Sequence, residues 1–147
     1  DVIAAPGIDV RSTCAALDGA IIWGYDTIVP TLGVSDALAF MSIRAWEKHL
    51  SGLLSAIAAL IPPSIKLFVV GIHPIRSIPG YDSPLGDLVD RHAAAMNRVS
   101  SVVCSAFPQA TFVPLAALVP QDARYRSPAD YSAWAKQLAE PIAPALD

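Results

Sequence analysis

Ile65-Lys66-Leu67-Phe68-Val69-Val70 runs directly into Gly71-Ile72-His73-Pro74, and this stretch decides the fold. Its apolar residues are continuous rather than alternating, which is the pattern of a strand buried on both faces, as in a parallel sheet. Gly71 turns the chain where the strand ends. Pro62-Pro63, just before it, stop the preceding element. That element reads as a helix, because Trp46, Leu50, Leu53, Leu54, Ile57 and Leu60 recur in steps of three and four. Ser42 stands where it can cap the first turn.

The same alternation extends in both directions. Downstream, a Pro/Gly-rich loop runs through Asp82. Ser83-Pro84 then supply a cap and a proline at the first helical position, and Asp87 sits near the positive helix end. Leu88, His92, Met96, Val99, Val103 and Phe107 continue the apolar stripe. Residues 110–114 read as a short strand, carried by Thr111, Phe112 and Val113. Ser127-Pro128-Ala129-Asp130 open a last helix, with Tyr131, Trp134, Leu138 and Ile142 expected to face inward.

Upstream, Val2-Ile3 read as a strand end closed by Pro6-Gly7. A helix is expected from about Asp9, with Val10, Cys14 and Leu17 on one face. Residues 27–32 read as a short buried strand that turns at Gly33. Four strands alternating with four helices predict a single α/β domain over residues 1–147, a flavodoxin-like three-layer α/β/α sandwich with a parallel sheet. In such sheets ligands bind beyond the C-terminal strand ends. Four loops are therefore the candidates: those after Ala5, Leu32, Val70 and Pro114.

Composition narrows the function. The chain has 147 residues, 54% of them apolar, and a net charge of −3. Its sequence pI is about 5.5 and its mean hydropathy +0.47. Acids and bases are interspersed, and no basic stripe offers itself to a phosphate backbone, which argues against nucleic acid. The nearly charge-free stretch from Ser51 to Ile65 is broken by prolines and too short to span a bilayer. No basic-then-apolar leader opens the sequence, which favours the cytoplasm, with secretion open if a leader lies upstream. Cys14 and Cys104 each fall on an apolar helix face and are expected to pack as free small hydrophobes, a disulfide being the alternative. Nothing has the spacing of a metal site, and no cofactor is expected.

Several segments carry a resemblance. Tyr25-Asp26-Thr27-Ile28-Val29-Pro30-Thr31-Leu32-Gly33-Val34-Ser35-Asp36 is similar to a strand ending in Gly-x-Asn-Asp. Asp122-Ala123-Arg124-Tyr125-Arg126-Ser127-Pro128-Ala129-Asp130-Tyr131, followed by Trp134-Ala135, matches Asp-x-x-His-Pro-Ser-x-x-Gly-Tyr-x-x-Trp-Ala in register. Between them lie Arg44 and Trp46 with Leu50, Leu53 and Leu54, then Val69-Val70-Gly71, Met96-Asn97-Arg98 and Phe112-Val113-Pro114-Leu115. From about Pro6 onward the chain resembles the SGNH (GDSL-type) ester hydrolases, a family of esterases and lipases.

The resemblance implies a serine that attacks an ester carbonyl, a histidine that activates it, and an aspartate three residues before the histidine. A backbone glycine and an asparagine side chain donate to the oxyanion. Carried over residue by residue, Asp122 matches the aspartate. The histidine position holds Tyr125, whose pKa of about 10 rules out unaided base catalysis at neutral pH. Ser35 stands at the oxyanion asparagine, and a hydroxyl can donate one hydrogen bond there. Gly7 falls where the backbone donor is expected.

The Gly-Asp-Ser block and its central strand are missing from the chain. The resemblance therefore implies a nucleophile from a segment upstream of residue 1, either covalently continuous or associated as an N-terminal fragment. Pro30 removes a ladder donor from a strand expected to be central.

His73 is the candidate substitute base, against a packed loop histidine. His92 reads as core or boundary and His49 as solvated. Tyr131, Trp134 and Trp46 read as core. Arg76, Arg124 and Arg126 either hold an anionic substrate or are solvated. The expected function is hydrolysis, or acyl transfer, of small acyl or acetyl esters by the full-length protein. One alternative is a catalytically inactive SGNH-like binding module, which Tyr125 favours. Another is an α/β interaction domain with chance similarity.

Overall fold

The computed structural model describes residues 7–17, 24–77, 80–81, 83–115 and 128–145. The described elements are α1 (Val10–Ala16), β1 (Thr27–Ile28), α2 (Val34–Leu38), α3 (Ile43–Leu60), β2 (Lys66–Val70), α4 (Pro84–Ser105), β3 (Ala110–Val113) and α5 (Pro128–Ile142). The strands form a parallel sheet in the order β1-β2-β3, flanked by helices: the expected α/β architecture of flavodoxin-like type. The strand anticipated at Val2-Ile3 lies outside the described residues.

The central strand behaves as its composition demands. Leu67, Phe68, Val69 and Val70 are all buried, although successive side chains point to opposite faces. Leu67 and Val69 join the cluster built by Trp46, Leu50, Leu53, Leu54 and Ile57 of α3 and by Val89, Ala93 and Met96 of α4. Phe68 and Val70 are buried on the other side. Inside the α3–α4 layer the Trp46 indole N–H donates to Ser100 Oγ at 2.9 Å, and that hydroxyl donates to the Met96 carbonyl at 2.9 Å. Both helices start where the sequence places them, with Ser42 and Ser83 accepting the N–H of Ala45 and Gly86.

Pro30 shows its effect at β1. The strand pairs with β2 only through Thr27 and Ile28, shorter than the expected residues 27–32. Pro30 has no N–H to give, so the ladder lapses there. Pairing resumes through the Pro30 carbonyl, which accepts from Val70 N at 3.0 Å, and through an isolated bridge between Thr31 and Val70.

Four expectations about facing are corrected. Leu60 is exposed because α3 ends there and Ile61, in extended conformation, turns inward in its place. Leu88 is exposed because the buried face of α4 runs through Gly86, Val89, Ala93, Met96, Ser100, Val103 and Cys104. Tyr131 is exposed, its ring meeting Trp134 edge-on at 6.0 Å. Cys14 is exposed on α1, since only Val10 of that helix is buried, whereas Cys104 is buried as expected and both are free thiols.

Candidate functional site

Three chain segments bearing predicted site residues converge by identifiable contacts. The first joins the loops after β1 and β2. Gly33 ends the β1 segment with φ +106, and a Cβ there would lie 2.7 Å from the Ile72 side chain and 3.1 Å from the Trp46 ring. Only a residue without a side chain allows that approach and that backbone angle. Gly33 then opens α2, which carries Ser35 in its first turn. Ile72 directly precedes His73, so the Ser35 and His73 segments spring from touching residues at the C-terminal edge of the sheet.

The second contact joins α1 to α2. The Asp36 carboxylate, 1% exposed, accepts the N–H of Val10 at 3.3 and 3.4 Å. Burial pushes the Asp36 carboxyl above the ordinary aspartate range, the Val10 bond opposes this, and the neighbouring Asp9 carboxylate reinforces it. Gly7, the candidate backbone donor, is exposed, adopts φ +69 and lies three residues before Val10.

The loop after β2 is itself fastened to α4. Asn97 Nδ2 donates to the Ile72 carbonyl at 2.9 Å, and Ile72 N donates to Asn97 Oδ1 at 2.8 Å. Ile75 N donates to Asp90. Arg76 pairs with Asp87 at 2.7 Å and Asp90 at 3.3 Å. Its guanidinium, still exposed to solvent, thus anchors the loop to α4. His73 is half-buried and packs on the Trp134 ring at 5.1 Å between centroids, joining this loop to α5.

Asp122, Tyr125, Arg124 and Arg126 lie outside the described residues. His92 sits at the core boundary as expected, its Nε2 2.9 Å from the Met41 carbonyl and its ring 5.5 Å from Phe40. Among the described residues, no group of three or more His, Cys, Asp or Glu is placed to hold a metal ion. None of the described helices is long and apolar enough to cross a membrane.

Two residues that organise the site, Asp36 and Asn97, enter the sequence reading only as members of matched segments, with no role of their own. Their partners are backbone groups 26 and 25 residues away, a relationship no local pattern displays. The one local signal is at Asn97, a polar residue directly after the apolar-stripe residue Met96; Asp36, next to Ser35, offers none.

No protein-family model matches the chain, and no curated protein matches it.

Proposed function

We propose that this chain supplies the oxyanion and acid side of an SGNH-type ester hydrolase acting on small acyl or acetyl esters. The observation that carries the reading is the convergence of the Gly7, Ser35 and His73 segments through the Asp36–Val10 and Gly33–Ile72 contacts. A parallel α/β sheet binds its ligands at this edge.

In this reading a serine hydroxyl from a segment upstream of residue 1 attacks the ester carbonyl. Its proton passes to a base, for which His73 is the candidate in the described residues, with Asp122 orienting the base. The Ser35 hydroxyl and the Gly7 N–H donate to the tetrahedral oxyanion. Collapse expels the alcohol, which takes the proton back from the base. Water then repeats the sequence on the acyl-enzyme and releases the carboxylic acid.

A second reading, a binding module without turnover, is favoured by Tyr125 at the histidine position. One assay separates the two: hydrolysis of p-nitrophenyl acetate by the full-length protein. The hydrolase reading expects turnover that falls by roughly 100- to 1000-fold in Ser35→Ala and is retained in Ser35→Asn. Absence of turnover in the wild-type protein selects the binding module. Turnover that Ser35→Ala leaves unchanged removes Ser35 from the site.

A further inference from the structure

We infer that Asp36 is a positioning residue for the oxyanion donors: by gripping the first amide of α1, its carboxylate sets the Gly7 segment against the turn that carries Ser35. The inference rests on the hydrolase reading of the site and deepens it.

Asp36 is 1% exposed, and no salt bridge compensates its charge among the described residues. The charges that act on it are Asp9, which opposes ionisation, and Arg11, whose influence is weaker. An apolar residue of similar size would fill the same space without a desolvation penalty. Retaining a carboxylate here needs a compensating role.

Capping is not that role. Helix α1 already has a complete capping box: the Asp9 side chain accepts Ser12 N at 2.7 Å, and the Asp9 N–H donates to Ser12 Oγ at 3.1 Å. The Val10 N–H lies at the first helical position, where orphan donors ordinarily face water. Instead Val10 is fully buried and its N–H is shared between both Asp36 oxygens. The bond therefore adds a tie between segments 26 residues apart rather than a second cap.

The tie also ends in the right places. Ser35 is the residue next to Asp36, inside the same helical turn. Gly7 lies three residues from Val10, and Asp9 between them is held extended at φ −111 and ψ 171. Few residues separate either candidate donor from the bond that links them. An oxyanion hole depends on two donors keeping one mutual geometry, and a misplacement of about 1 Å is enough to cost on the order of 100-fold in rate.

Three variants of the full-length protein test this. Asp36→Asn keeps the shape and an acceptor for Val10. Asp36→Ala removes the acceptor. Val10→Pro removes the donor at a position where proline suits a helix start and where the preceding Asp9 is already extended.

With p-nitrophenyl acetate, Asp36→Ala and Val10→Pro are expected to lower kcat by about tenfold or more with KM nearly unchanged, whereas Asp36→Asn stays close to wild type. The amide resonances of Gly7 and Ser35 are expected to move in Asp36→Ala while those of β3 hold still. Wild-type kcat per folded molecule in Asp36→Ala, or equal loss in the Asn and Ala variants, overturns the inference. If the wild-type protein shows no turnover, the hydrolase reading falls. The resonances then decide: movement at Gly7 and Ser35 sustains the tie, and their invariance in Asp36→Ala refutes it.

Discussion

Asn97 grips Ile72 at both backbone groups, donating to its carbonyl at 2.9 Å and accepting its N–H at 2.8 Å. A side-chain amide can do both at once with the spacing of a peptide group, and here it stands in for a neighbouring strand just beyond the end of β2. Asn97→Ala leaves two partly buried backbone groups without partners and is expected to cost about 1–3 kcal/mol. Asn97→Asp keeps only the acceptor half and is also expected to destabilise. Urea unfolding midpoints with an unchanged m-value read this directly.

Gly33 makes a second, steric prediction. A Cβ at this position meets Ile72 at 2.7 Å, and φ is +106. Gly33→Ala is therefore expected to destabilise by about 1–3 kcal/mol through overlap and backbone strain together. The damage falls between the Ser35 and His73 segments, so activity is expected to fall even at temperatures where the variant stays folded. Thermal unfolding followed alongside turnover separates the two effects.

Asp36 predicts a pH dependence with a definite sign. Burial raises its carboxyl above the ordinary aspartate range, so the native chain keeps a proton there that the unfolded chain has already released. Stability linked to this group is complete below the unfolded value and declines as pH rises through the folded one. Asp36→Asn removes that decline. Its stability relative to wild type is expected to increase between about pH 4 and pH 7, measured by urea unfolding at both. The Asp9 carboxylate is shifted downward, chiefly by the Ser12 N–H, and its own contribution has the opposite sign but is present in both proteins.

The two thiols are expected to differ in reactivity. Cys14 is exposed, while Cys104 is buried and its thiol is pushed up to about 11 by desolvation. A disulfide-exchange reagent is expected to modify one thiol per native chain and both after unfolding. Two fast-reacting thiols in the native protein would contradict the burial of Cys104.

The legibility of the fold followed the physics of each element. β2 was readable because burial on two faces leaves no room for polar residues, and α3 and α4 because Ser42 and Ser83 announce their starts. α2 was not: it has five residues and is opened by a left-handed glycine with no side-chain cap. The stripe read on α4 holds at Met96, Val99, Val103 and Phe107, but its first member Leu88 stands outside, because the inner surface there uses the small residues Gly86, Ala93 and Ser100. Cys14 was misjudged because α1 buries only Val10.

At the candidate site, the sequence reading picks Ser35 and His73 from the loops after two strands, and the structure places those loops at the C-terminal edge of the sheet. The roles of Asp36 and Asn97 are not legible locally because each serves the backbone of a distant segment. Such partners exist only once the chain has folded.

The proposed hydrolase reading requires Ser35 and Asp122 to face one another above the same sheet edge. The most direct test is the distance between nitroxide labels at Ser35→Cys and Asp122→Cys, in a Cys14→Ser background that leaves Cys104 buried and unreactive. A chain of this length packs to a radius of gyration of about 15 Å. The account expects a narrow distribution below about 20 Å, whereas residues at opposite ends of the molecule would give about 30 Å or more. The longer distance would contradict it.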